Sequence, residues 1–182
     1  MTKTLIVFHS RTGYTRRVAR DLAGRLGADL DEIRIVQPMH GPIGYALCAI
    51  EAIAGLAPAL RPARKDAAAY DLVVVGTPVW FWSLASPVRS WLEQFGRRGK
   101  RFAFFCTMGG SGAGRVFAAM KKLTGREPVA SLALTDAEVD ATARAKIDAF
   151  VVELVAGGGR RRVARSVAAT SRARSHLPEF GK

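Results

Sequence analysis

Apolar residues along this chain follow two alternating rhythms, short unbroken runs and longer stretches with a helical repeat. Thr4 to Phe8 (TLIVF) is an unbroken run of branched and aromatic residues, which predicts a strand buried on both faces. From Thr15 to Leu26 the positions Val18, Leu22 and Leu26, with Ala19 and Ala23, recur at helical spacing. Arg16, Arg17, Arg20 and Arg25 take the opposite side of that helix, and Gly27 stands where a C-terminal cap belongs. Leu30 to Val36, with Ile33 and Ile35 alternating with charge, predicts a second strand nearer an edge.

Residues 38 to 66 form the least regular connection, with one short alanine-rich helix expected around Gly44 to Ile53. Its faces are nearly all apolar, so the core, another subunit of a homo-oligomer or a ligand must cover it. Leu72 to Val75 (LVVV) predicts a central strand. Ser86 and Pro87 then read as the cap and first-turn proline of a helix that runs to Phe95, before Gly96. Phe102 to Cys106 is a fourth strand, and Val116, Phe117, Met120 and Leu123 mark the buried side of the helix after it. Val129 to Leu134 is a fifth, and Thr135 with Glu138 forms a capping box for a last helix ending near Ala156. Strands joined by helical crossovers imply an α/β fold, a parallel sheet with helices on both faces in three α/β/α layers.

At 182 residues, with 49% hydrophobic and 24% charged, the chain has the make-up of one folded domain rather than a disordered segment. The formal charge of +13 changes that plain picture, because so basic a protein attracts anions. Beyond the glycines at 157–159, seven basic residues (160, 161, 162, 165, 172, 174, 182) face Glu179 alone, a net +6 of the total. The division expected is therefore a folded domain over 1–156 and a basic, mobile tail over 157–182. Cys48 and Cys106 are far apart in apolar surroundings, which favours small core residues over a metal pair. No secretory pattern is visible, and the apolar stretch from Gly41 to Leu60 is broken by Pro42, Gly55 and Pro58. A cytoplasmic location is expected.

In an open parallel sheet, ligands bind beyond the carboxyl ends of the strands. Three of these exits are unusual. SRTGYT (Ser10, Arg11, Thr12, Gly13, Tyr14, Thr15) places the hydroxyls of Ser10, Thr12 and Thr15 and a glycine at a helix N-terminus, where unpaired N–H groups and the helix dipole favour an anion such as a phosphate. It is neither a Walker A loop nor a GxGxxG fingerprint. Pro78, Val79, Trp80, Phe81 and Trp82 follow the central strand, and the three aromatics offer planar surfaces for stacking. Thr107, Met108, Gly109, Gly110, Ser111 and Gly112 follow the fourth strand, a loop whose backbone can press against the edge of a ring. Together they describe a ligand with a phosphate at one end and a flat, polar-edged ring at the other.

SRTGYT resembles the phosphate loop of the flavodoxin family, DLVVVGTPVWFWSLASPVRSWL its second flavin-contacting segment and FFCTMGGSG its third, in order over residues 3 to about 156. The resemblance implies a flavodoxin-like FMN-binding domain whose five-stranded parallel sheet has the order 2-1-3-4-5. It also implies that Ser10 to Thr15 bind the phosphate of FMN, Pro78 to Trp82 flank the isoalloxazine and Thr107 to Gly112 contact its pyrimidine side. His9 is expected to pack at the strand end, and His40 and His176 have no neighbours that suggest a role.

Two departures bear on the reaction. Electron-carrier flavodoxins are typically acidic, whereas this chain is basic, which should stabilise an anionic reduced flavin within the limits of screening. Many carriers also place a glycine beside the flavin N5, and PVWFWS has none. Both departures favour two-electron chemistry, an FMN-dependent oxidoreductase of NAD(P)H:quinone type. The alternatives are a one-electron carrier serving a redox protein, and a binding module whose arginine-rich tail engages nucleic acid or an anionic membrane. No nucleic-acid motif is present.

Overall fold

The structure, a computed structural model, describes residues 2–36 and 58–157. The helix expected around Gly44 to Ile53, Cys48, His40 and the basic tail with His176 lie outside the described residues. The chain runs β1 (Thr4–Phe8), α1 (Tyr14–Leu26), β2 (Asp29–Glu32), a single 3-10 turn (Ala67–Ala69), β3 (Leu72–Trp80) and β4 (Ser83–Leu84). It continues as α2 (Ser86–Phe95), β5 (Phe102–Met108), α3 (Ala113–Thr124), β6 (Ser131–Thr135) and α4 (Asp136–Ala141). A further helix, α5, spans 143–157.

Five strands pair in parallel in the order β2-β1-β3-β5-β6, and the two-residue β4 folds back on β3 as an antiparallel partner. With that hairpin strand set aside, this is the expected 2-1-3-4-5 order. The unbroken apolar runs are unbroken because both faces are covered. Leu5, Val7, Val73, Val75, Phe102 and Phe104 meet Val88, Trp91 and Leu92 of α2 and Val116 and Met120 of α3. Ile6, Phe8, Leu72, Val74, Ala103 and Phe105 meet Val18 and Leu22 of α1 and Ile147, Phe150 and Leu154 of α5. Each fully buried aliphatic side chain contributes about 1.5–3 kcal/mol. Gly76 belongs to this packing, since a Cβ there would stand 2.0 Å from the Phe105 ring.

Four elements differ from expectation. β2 begins at Asp29 and ends at Glu32, because its partner β1 ends at Phe8. Past that point Ile33 N–H donates to the Phe8 carbonyl, and Ile35 makes an isolated antiparallel bridge to Leu60. β3 runs on to Trp80 instead of opening into a loop after Val75, because the hairpin with β4 continues its ladder. α2 starts from Ala85 without a side-chain cap, so Ser86 is a buried first-turn residue and not the cap. The last helix is interrupted at Thr142 (φ −133°), while the capping box of Thr135 and Glu138 at its start forms as expected. Among the described residues no helix is long and apolar enough to cross a membrane.

Candidate functional site

All three unusual exits open on the same pole, at the carboxyl ends of β1, β3 and β5, and two side-chain contacts tie them together. The hydroxyls of Thr15 and Thr107, both buried, lie 2.8 Å apart and join the first exit to the third. Trp82 Nε1 donates to Ser111 Oγ at 2.8 Å and joins the second to the third.

The first exit divides its hydroxyls among separate tasks. Ser10 is buried, and its Oγ accepts the N–H groups of Gly13 and Arg16 at 3.2 Å each, so it caps the start of α1. Gly13 precedes the helix at φ 102°, a conformation that favours glycine, and a Cβ there would have nothing within 4 Å. The space above the loop is therefore open. The first-turn N–H groups of Tyr14 and Thr15 have no acceptor inside the helix, and with Thr12 exposed beside them they form an anion-receiving end. Arg11 is exposed, Arg16 is held by Glu32 at 2.5 Å, and Arg17 pairs with Asp140. The Tyr14 hydroxyl also donates to Asp140, at 3.3 Å. Reading strand exits did not single out Asp140, because its partners are more than 120 residues away in sequence.

At the second exit Trp80 turns back toward the core, its ring edge-on to His9 at 5.6 Å. His9 packs as expected: its Nδ1 lies 3.0 Å from the Ile33 carbonyl, and burial holds its pKa below the usual value. Phe81 and Trp82 form the two-residue turn between Trp80 and Ser83, both in the left-handed region (φ 48° and 55°). Such turns normally carry Asn-Gly or Asp-Gly. The two rings are 42% and 58% exposed, a presentation that costs about 1–3 kcal/mol of backbone strain per residue.

The glycines of the third exit are not equivalent. Gly112 has φ 114°, and a Cβ would stand 2.9 Å from Val79 Cγ1 and 3.0 Å from Trp82 Cα, so this glycine lets the loop close against the hairpin. Gly109 and Gly110 have nothing within 4 Å of a Cβ and line an open cleft of about 330 Å³ with Val79, Phe81, Trp82, Met108 and Ser111. An anion-receiving helix end beside an aromatic and glycine-lined cleft fits a phosphorylated flavin. Among the described residues no cluster of His, Cys, Asp or Glu could hold a metal.

The sequence profile described as NADPH-dependent FMN reductase matches residues 4–137. The chain belongs to that family. FMN is the cofactor this membership carries, in agreement with the three loops. The fold is shared with a flavoprotein from Lactobacillus acidophilus NCFM in complex with FMN, 24% identical over 77% of this chain and 97% of that one, with a TM-score of 0.63. It is shared also with rubredoxin oxygen:oxidoreductase from Desulfovibrio gigas, at 17% identity over 86% and 37% and a TM-score of 0.51. Flavodoxin 2 from Bacillus cereus aligns at 16% identity over 84% and 97%, TM-score 0.50. No curated protein matches the chain.

In this member of the FMN reductase family the largest basic excess among the described residues lies away from the loops. The turn 96–101 and the segment 121–127 carry seven basic residues against Glu127, and both lie at the amino ends of β5 and β6, the opposite pole. β5 is seven residues long, which separates the poles by about 20 Å at ~3.3 Å per residue. That exceeds the screening length of about 8 Å at physiological salt, so this charge has little hold on a flavin at the loops.

Proposed function

We propose that the chain is an FMN-dependent reductase that takes reducing equivalents from NADPH and passes them to a quinone-type acceptor. Bound FMN supplies the redox chemistry, hydride acceptance and release. The protein's part is to bind, orient and shield. Ser10 to Thr15 hold the phosphate through the open end of α1, with Ser10 keeping the loop in shape. Val79, Phe81 and Trp82 flank the ring system while Trp80 packs inward, and the backbone of Gly109 and Gly110 meets its polar edge. The observation that carries this reading is the cross-tying of the three exits through Thr15 with Thr107 and Trp82 with Ser111.

Two-electron chemistry is favoured by the second exit. The segment that would have to reorient its peptide in a one-electron carrier is here a tight hairpin turn, pinned by the pairs Val79–Leu84 and Trp80–Ser83. Among the described residues the cleft lining contains no carboxylate, imidazole or amine. What these residues offer is shape and backbone hydrogen bonds.

Anaerobic addition of NADPH to the FMN-loaded protein, followed by a quinone, tests the proposal. Bleaching of the flavin absorbance and repeated turnover are expected. Inertness to NADPH and NADH would instead identify a one-electron carrier, and a colourless protein that does not take up FMN would overturn the site.

A further inference from the structure

The pole opposite the flavin loops has its own chemistry. Arg97, Arg98, Lys100 and Arg101 occupy the turn between α2 and β5. Lys121, Lys122 and Arg126 lie at the end of α3 and in the turn that follows it. The two turns are neighbours, because Val129 N–H donates to the Phe102 carbonyl as β5 and β6 come together. Their acidic neighbours are few: Asp71 lies 3.5 Å from Lys100, and Glu127 pairs with Lys121. The segments 96–101 and 121–127 are together net +6.

The chain leaves the described structure at this same pole. Gly157, the last residue of α5, sits so close to the turn that a Cβ would stand 3.2 Å from Arg101 Nη2. Residues 158–182 follow with a further net +6, so the pole and the sequence beyond it hold +12 of the chain's +13. On the last turns of α5, Val152 and Val155 are each 65% exposed, three residues apart and therefore on one side of the helix.

We propose that this pole docks the protein on an anionic lipid bilayer. A single-sign cluster of Lys and Arg is drawn to anionic headgroups, with about 1 kcal/mol for each residue near the surface. Apolar side chains beside basic ones suit the headgroup boundary, where the valines can enter while the cations stay at phosphate depth. A nucleic-acid surface would use the same cations and leave the two valines without a role. Docked this way, the flavin loops face away from the bilayer.

The experiment is flotation of the full-length protein with phosphatidylcholine vesicles and with vesicles that also contain phosphatidylglycerol, beside a duplex DNA binding assay. Binding only to the anionic vesicles is expected, with affinity falling as salt rises. Each of R97Q, R98Q, K122Q and R126Q is expected to weaken it about fivefold. V152S/V155S is expected to weaken vesicle binding while leaving any DNA binding unchanged. Far-ultraviolet circular dichroism and bound-flavin absorbance establish that each variant is folded. Equal binding to neutral vesicles, indifference to the charge substitutions, or tight DNA binding without vesicle binding would each overturn the proposal.

Discussion

Thr15 and Thr107, 92 residues apart in sequence, place their buried hydroxyls 2.8 Å from each other and so fix the first and third loops in one frame. Replacing one by valine strands the other hydroxyl without its partner. T15V and T107V are each expected to cost about 1–3 kcal/mol in urea denaturation, while the double variant costs less than the sum of the two. FMN affinity, read by fluorescence quenching, should fall in all three variants because the loops lose their common frame.

The turn at Phe81 and Trp82 separates stability from binding. F81N/W82G installs the residues that this backbone prefers and should stabilise the FMN-free protein by about 1–2 kcal/mol. The same variant removes both exposed rings and the bond to Ser111, so its FMN affinity should fall. A fall in both quantities would show that the aromatics hold the hairpin rather than serve the cleft.

Gly76 is expected to tolerate no side chain in the wild-type core. A Cβ 2.0 Å from the Phe105 ring forces that ring to move, and overpacking of this kind costs about 1–3 kcal/mol. G76A should lower the melting temperature, and F105L in the same chain should recover part of the loss.

The pH dependence has a distinct alkaline limb. Burial pushes the Cys106 thiol up to about 12. Burial, then the hydrogen bond to Asp29, does the same to the Tyr70 phenol. Both groups hold their protons more tightly folded than unfolded, so their contribution is complete below about pH 9 and is lost between about pH 9 and 12. On the acid side, Lys146 and then the Thr135 backbone N–H hold the Glu138 carboxyl down at about 2. Its contribution is present above the ordinary carboxylate range and fades as pH falls toward 2. Chemical denaturation across pH 2–12 reads both limbs, and Cys106 in the native protein should resist iodoacetamide at pH 8.

The sheet was legible because burial on both faces leaves runs such as TLIVF and LVVV that no other element matches, and the helix after β1 because its arginines all fall on one side. The three loops were legible as hydroxyls, aromatics and glycines at strand exits. What was not legible lies in pairings at long sequence distance. Nothing local to PVWFWS shows that Ser83 and Leu84 return as a strand and force Phe81 and Trp82 into the left-handed region. Ser86 before Pro87 has the form of a cap, yet the helix begins from Ala85. Nor does the count of arginines reveal that the described residues gather their largest basic excess at the pole away from the loops.

The break at Thr142 gives the C-terminal part of the chain two levels of protection. α5 is anchored by Ile147, Phe150 and Leu154, whereas α4 has no buried residue of its own. Amide protons of α4 should therefore exchange with solvent through local opening, well before those of α5. Asp140, which holds Tyr14 and Arg17 beside the first loop, rides on the segment that opens first. The flank of the anion-receiving loop can thus breathe on its own timescale while the sheet beneath it stays closed.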